Sequence, residues 1–288
     1  MRILVVARTH PGGRHSSWVQ EQIEELRLRG HQVVPMALRR GGIWGYTEAF
    51  LQTQRAFLRN DFRAYDIVHA HHGPAGSLAT LQNKVPVAVT FHGSDINRMP
   101  RIYSQRALDK ADAQIFVSPK LASQTEVTDY EIIPCGFDHR IFSPGDKAES
   151  RRHLGWPLDR PIISFTHRFS NEVKNAPLAQ AAAQLAGAEL KELWGYSRED
   201  VAHVLRAADG LVLTSHYEGS PVIVREALGV GCPVVSVDVG DTPITLSGIP
   251  GCYIVERTPE SVAAGIRKVV EAGGRLDFST YNRMDHSL

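Results

Sequence analysis

Only three cysteines occur in 288 residues, and Cys135, Cys232 and Cys252 are an odd set at wide spacing. That argues against a disulfide framework or a zinc site and predicts reduced thiols. No run approaches the roughly 20 apolar residues that a membrane-spanning helix needs. The net charge is +1, too small to suggest a nucleic-acid partner. No internal repeat or low-complexity segment is evident. The apolar run that opens the chain, Ile3 to Ala7, stops at Arg8 and reads as a first strand instead of a signal peptide, so a cytoplasmic protein is expected.

What remains is an ordinary globular composition, with 22% charged and 43% hydrophobic residues. The length suits two domains, each with its own core. Charge is not spread evenly. Residues 1–66 carry ten arginines against Glu21, Glu24, Glu25, Glu48, Asp61 and Asp66, a local excess of four positive charges. A peripheral contact with an anionic membrane surface or an acidic acceptor would suit that excess, and an ordinary solvated face is the plainer reading.

Strand-like runs recur at Ile3 to Val6, Gln32 to Ala37, Asp66 to Ala70, Val87 to Phe91, Gln114 to Ser118 and Glu131 to Pro134. Most are continuous apolar runs, as parallel strands buried on both faces require. Between the first two, Val19, Ile23 and Leu26 keep helical spacing up to Gly30. The pattern breaks in the stretch Asp138–Asp159, which is rich in charge, proline and glycine, and restarts at Pro161. Further runs follow at Ile162 to Thr166, Leu190 to Leu193, Gly210 to Thr214, Pro233 to Val237 and Tyr253 to Val255, and Thr258-Pro259 opens a last helix. These periods predict an α/β chain of two Rossmann-like domains, residues 1–140 and 161–288, joined by a linker at 141–160. Ligands of such sheets bind at the carboxyl ends of the strands, so two facing domains would share a cleft.

The richest segment is Glu218-Gly219-Ser220-Pro221-Val222-Ile223-Val224-Arg225-Glu226. It lies between two apolar strands and sets two carboxylates eight positions apart around a helix start. Ser220 suits an N-cap and Pro221 a first helical position, so the helix is expected from there to about Val230. The unpaired N–H groups and positive dipole end of such a start suit a phosphate, and the two carboxylates suit sugar hydroxyls.

Other candidates sit at strand ends. Gly12 and Gly13, after the first strand, would let the backbone approach a ligand, or form a mere turn. His92 leaves the fourth strand in Phe91-His92-Gly93-Ser94-Asp95, where it could touch a reacting group with Asp95 to orient it. Arg168 and Lys174 follow the strand that opens the second domain, and two cations there would neutralise a diphosphate. A metal site at His69, His71 and His72 is disfavoured, because alternation splits them between faces and no acid or cysteine completes a set. The segment Ile43 to Arg59 has a helical apolar pattern with basic residues, read as core packing ahead of a membrane-facing or acceptor helix. Trp194-Gly195-Tyr196 could reach a base.

Together, Asp66-Ile67-Val68-His69-Ala70-His71, the Thr90 to Asp95 run, Ile133-Pro134-Cys135-Gly136-Phe137-Asp138, the Arg168 and Lys174 pair and the two spaced glutamates resemble the retaining glycosyltransferases of sequence family four, which have the GT-B fold. Within that family the chain is similar to bacterial enzymes of surface polysaccharide assembly, teichuronic-acid-type transferases among them.

The resemblance implies a nucleotide-diphosphate sugar as donor and a glycan or lipid-linked acceptor, with retention of configuration and no metal or other cofactor. It assigns Arg168 and Lys174 to the diphosphate, Glu218 to the transferred sugar, Glu226 to the ribose hydroxyls, and the Gly219, Ser220 and Pro221 turn to phosphate. Gly12 and Gly13 would lie by the donor and His92 near the reacting carbon. Many relatives carry a further strand-helix unit between the positions of Lys174 and Leu211, and begin a final helix about where this chain reaches Leu288. A shortened second domain is therefore expected. Two alternatives accompany this reading: a nucleotide-sugar-binding protein without catalysis, and an epimerase or phosphorylase on the same fold.

Overall fold

In a computed structural model that describes residues 1–9, 15–38, 62–273 and 275–276, strand β1 (Arg2–Arg8) is buried on both faces. Ile3, Val5 and Ala7 pack with Val19 and Ile23 of the helix Ser17–Leu28, while Leu4 and Val6 join a separate core with Val68, Val89 and Phe91. Successive side chains of a strand point to opposite faces, so an unbroken apolar run needs cover on both sides. Each such Val, Leu or Ile contributes about 1.5–3 kcal/mol by leaving water.

The chain divides into two compact units, Met1–Cys135 and the residues from Gly136 on. In the first, β1, β2 (Gln32–Leu38), β3 (Ile67–His71), β4 (Val87–Phe91), β5 (Ala113–Phe116) and β6 (Glu131–Ile132) form a six-stranded sheet in the order β2-β1-β3-β4-β5-β6. In the second, β7 (Ile162–Phe165), β8 (Glu189–Glu192), β9 (Gly210–Leu213), β10 (Val234–Val237) and β11 (Tyr253–Val255) form a five-stranded sheet in the order β11-β10-β9-β7-β8. Every paired strand in both sheets is parallel. In each unit the second strand lies on one side of the first and the third on the other. The order thus reverses between β1 and β3, and again between β7 and β9, which is where open α/β sheets leave a crevice for ligands.

Every expected strand is present among the described residues, with ends shifted by a residue or two. β6, for example, stops at Ile132 instead of Pro134. It is the edge strand, and Pro134 has no N–H to give to a ladder. The expected linker also differs. Residues 136–160 belong to the second unit, and within them runs the helix Lys147–His153, whose N-cap Asp146 accepts from the Glu149 N–H at 2.6 Å. Buried Arg151 on this helix pairs with Asp209 at 2.9 Å and donates to the Ala207, Pro157 and Arg160 carbonyls. Asp209 in turn accepts the Ile162 N–H at 2.7 Å, so the ion pair fixes the start of β7. Part of the charge that reads as linker composition, Arg151 above all, is thus held inside the fold, while Arg152, Asp159 and Arg160 stay exposed. No helix among the described residues is long and apolar enough to cross a membrane.

Candidate functional site

At the β7 and β9 switch point two loops meet. After β7 the chain runs through His167 and Arg168 into a short turn, Glu172–Lys174, capped by the Asn171 side chain. After β9 it runs through His216 to Glu218. The loops are tied by the His216 N–H donating to the Val173 carbonyl at 2.8 Å, and by the Thr214 hydroxyl donating to the Lys174 and Asn175 carbonyls. Asn175 holds a left-handed backbone, φ 53°, to make the turn. This frame brings Lys174 Nζ within 2.6 Å of Glu218 Oε1, with side chains 18% and 12% exposed. The ammonium keeps further donor directions beyond that bond.

Arg168 belongs to the same cluster. His167 is held below its usual pKa by burial first and then by Lys174 and Arg168, with Glu218 acting the other way. The Arg168 guanidinium lies 4.9 Å over the ring of Trp194, and the His167 ring is 4.7 Å from that ring. Trp194 itself is 52% exposed. A positive cluster edged by an open aromatic surface can hold an anion beside a flat ring.

Glu226 sits apart from this pair, on the helix Val222–Gly229, and is 3% exposed. Its Oε1 accepts from Arg198 Nη2 at 2.6 Å. Burial pushes the carboxyl above its usual range and Arg198 pulls it back. The structure therefore gives the two spaced glutamates separate cationic partners.

The helix begins one residue later than expected. Pro221 is its N-cap, and the Ser220 side chain makes no cap bond. Its hydroxyl donates instead to Asp241 Oδ2 at 2.8 Å and accepts from Arg225 Nη1 at 2.6 Å. Charged partners outbid a neutral N–H for that oxygen. Among the described residues neither the Gly219 nor the Ser220 N–H donates to another backbone carbonyl. Gly240, φ 59°, backs this turn: a Cβ there would lie 2.7 Å from the Gly219 carbonyl oxygen and 3.0 Å from Glu218 Cβ.

In the first unit His92 stands at the end of β4 in a stack of rings. Its Nε2 is 3.1 Å from His71 Nδ1, its Nδ1 is 3.5 Å from Cys135 Sγ, and its ring centre is 4.0 Å from that of Trp18. The expectation that Asp95 orients the imidazole is corrected. The buried Asp95 carboxylate accepts the backbone N–H groups of His92, Gly93 and Gly73, and fixes the turn rather than the ring. Burial holds His69 at about 4 and His71, His72 and His92 below their usual value, with neighbouring histidines pressing His71 and His92 further the same way. The cluster is neutral at pH 7 and can exchange hydrogen bonds with hydroxyls. Strand alternation does place His69 and His71 together, 4.4 Å between rings, but His72 also returns to the cluster, 4.8 Å from His92, through a positive φ of 73°. Among the described residues no three or more histidine, cysteine, aspartate or glutamate side chains are arranged so that they could hold a metal ion. Gly12, Gly13 and the segment Ile43 to Arg59 lie outside the described residues.

Arg198, Arg225, Asp241, Gly240 and Trp18 are absent from the sequence-based candidates. Arg225 adjoins Glu226 and could have been noticed as a charge on an apolar helix. Gly240 and Asp241 end the run Pro233 to Asp241, which is part of the family resemblance but carries no assigned role there, and nothing local marks Arg198 and Trp18.

A family model described as Glycosyltransferase Family 4 matches residues 2–141, and one described as Glycosyl transferases group 1 matches residues 169–272. A Bacillus subtilis (strain 168) protein, provisionally assigned by its name as a teichuronic acid biosynthesis glycosyltransferase, is 30% identical over 237 residues, 70% of this chain and 61% of that protein. A D-inositol 3-phosphate glycosyltransferase of Actinosynnema mirum is 26% identical over 294 residues, 81% of this chain and 70% of that protein. These two matches thus span about three fifths and seven tenths of the relatives' own length. Among solved structures, sucrose-phosphate synthase of Thermosynechococcus elongatus gives a TM-score of 0.74 at 16% identity, covering 98% of this chain and 96% of that one. HepE of Anabaena in complex with UDP gives 0.68 at 15% identity, covering 99% and 98%. With both family models matching in chain order and the GT-B fold shared, the chain belongs to the family-four glycosyltransferases.

Proposed function

We propose that this chain moves a sugar from a nucleotide-diphosphate sugar to a glycan or lipid-linked acceptor of a bacterial surface polysaccharide, retaining the anomeric configuration and using no metal. The observation that carries this reading is the contact of Lys174 with Glu218, one from each loop of the β7 and β9 switch point. Breaking a sugar-phosphate bond places negative charge on the departing diphosphate, and preorganised cations stabilise it most where water is scarce. Lys174 and Arg168 supply that charge. The Gly219 and Ser220 N–H groups and the helix behind Pro221 add a positive dipole end.

Glu218, in contact with Lys174, is placed to accept from hydroxyls of the transferred sugar, and buried Glu226 from those of the ribose. For His92 of the first unit, contact with a sugar hydroxyl rests on the resemblance alone, since both of its ring nitrogens face His71 and Cys135. The polysaccharide acceptor is supported by similarity to the Bacillus subtilis relative.

The test is a panel of uridine, guanosine and adenosine diphosphate sugars, read as binding, donor hydrolysis and transfer, with and without a chelator, and with the product anomer read by NMR. Undiminished activity in both Lys174→Ala and Glu226→Ala would sink the assigned roles.

A further inference from the structure

No fully buried side chain among the described residues is larger than Arg225, which is 2% exposed. A buried guanidinium is costly unless it is paired and hydrogen-bonded. Its Nη2 donates to Asp241 Oδ2 at 2.7 Å and to the Thr245 hydroxyl at 3.2 Å, and its Nη1 donates to the Ser220 hydroxyl at 2.6 Å. The Ser220 hydroxyl closes the triangle by donating to the same Asp241 oxygen. Three stretches of chain meet here: the Glu218 to Pro221 turn, the helix that follows it, and the loop after β10.

Arg225 and Glu226 are neighbours in one helix, so their side chains leave its axis about 100° apart. One reaches the β10 loop and the other reaches Arg198, which together set the roll of the helix. The β10 loop touches the glutamate turn at a second point, where Gly240 lies against the Gly219 carbonyl.

We propose that Arg225 and Asp241 are positioning residues that hold the Glu218 to Ser220 turn, through the Ser220 hydroxyl, in register for the sugar and diphosphate of the donor. The inference rests on the donor-site reading above. A pair kept only for packing could be exchanged for apolar residues of similar volume, since such replacements of buried ion pairs are often neutral or stabilising. A positioning pair could not.

The decisive comparison is Arg225→Met alone against Arg225→Met with Asp241→Leu, each measured for Tm, nucleoside diphosphate binding, kcat and donor KM. The single variant strands a buried carboxylate and lowers Tm. The double variant removes both charges and recovers most of that Tm, yet keeps kcat about 10- to 100-fold low, as expected of reacting groups displaced by around an ångström, with donor KM changed less. Ser220→Ala keeps the ion pair, cuts only the link to the turn, and lowers kcat in the same sense should the double variant not fold. Arg225→Lys, which keeps the charge, falls between Arg225→Met and the parent.

A double variant, or Ser220→Ala, with undiminished kcat and KM beside an active parent overturns this inference alone. A parent that binds no nucleotide sugar overturns the donor-site reading and this inference with it.

Discussion

Lys174 Nζ and Glu218 Oε1 stand 2.6 Å apart although 44 positions separate them in the chain. If the lysine serves the diphosphate and the glutamate the sugar, single variants separate the two. Charge-assisted hydrogen bonds contribute about 1.5–3 kcal/mol, so Lys174→Met should weaken nucleoside diphosphate binding roughly 10- to 100-fold. Glu218→Gln should leave that binding within about threefold while lowering transfer by an order of magnitude or more. Calorimetric titration with the diphosphate alone, beside a transfer assay, checks both, and equal losses of binding in the two variants would refute the division.

Arg198 is the partner of buried Glu226. Replacing it by methionine keeps the stem but leaves the carboxylate unpaired, at a cost of about 2 kcal/mol of stability, given that Arg198 is itself partly exposed. Glu226→Gln keeps a hydrogen-bond acceptor without the charge and should cost less. Urea unfolding of the two variants orders them, and the reverse order would show that the pair is a net burden.

Gly240 is required twice over, by its positive φ and by the approach of the Gly219 carbonyl. Alanine there strains the backbone and pushes the glutamate turn outward. A loss of about 1–3 kcal/mol in stability is expected, with donor binding weakened alongside. Gly248→Ala is a control, since it also has positive φ but nothing near its missing Cβ. The two should lose similar stability from φ alone, and only Gly240→Ala should lose binding beyond it.

Acid should unfold the first unit through its histidines. The folded-state values of His69, His71 and His92 lie below the ordinary 6.5. The unfolded chain therefore binds more protons between the two values, so stability is full above about pH 6.5 and falls as pH drops toward the folded values. For His69, whose folded value is about 4, the loss by pH 4 is about 3 kcal/mol. Thermal unfolding followed at pH 7.5, 5.5 and 4.5 should show this decline, and His69→Gln should flatten it. An unchanged slope in that variant would count against the burial of a neutral ring.

Much of the fold is legible along the chain because parallel strands covered on both faces leave continuous apolar runs, such as Val87–Phe91 and Gly210–Leu213. The segment 141–160 is not legible in this way. Arg151 reads as solvated charge until Asp209, 58 positions later, folds over it. The N-cap is misread at Ser220 for a related reason: a hydroxyl that is locally well suited to cap a helix is captured by Asp241, 21 positions away. Among the candidates, Glu218, Arg168 and Lys174 are visible because they follow strand ends, and Glu226 because it lies eight positions from Glu218 across a helix start. Arg198 carries no local mark, and Asp241 is seen only as the end of the run Pro233 to Asp241, since long-range packing alone gives each its buried partner.

By itself, then, the order of apolar runs determines two α/β units and the strand ends where candidate residues stand, while the family resemblance is carried by the particular motifs at those places. The units and those strand ends follow from the period of side chains along a strand and from where open sheets leave their crevices. The tertiary structure alone decides which opposite charges meet. It gives Glu218 to Lys174 and Glu226 to Arg198, turns Asp95 to the backbone instead of the His92 ring, and shuts Arg225 away with Asp241. The reason is physical: a hydrogen bond acts over about 3 Å, and the chain reaches that range between distant residues only after both sheets have set their loops.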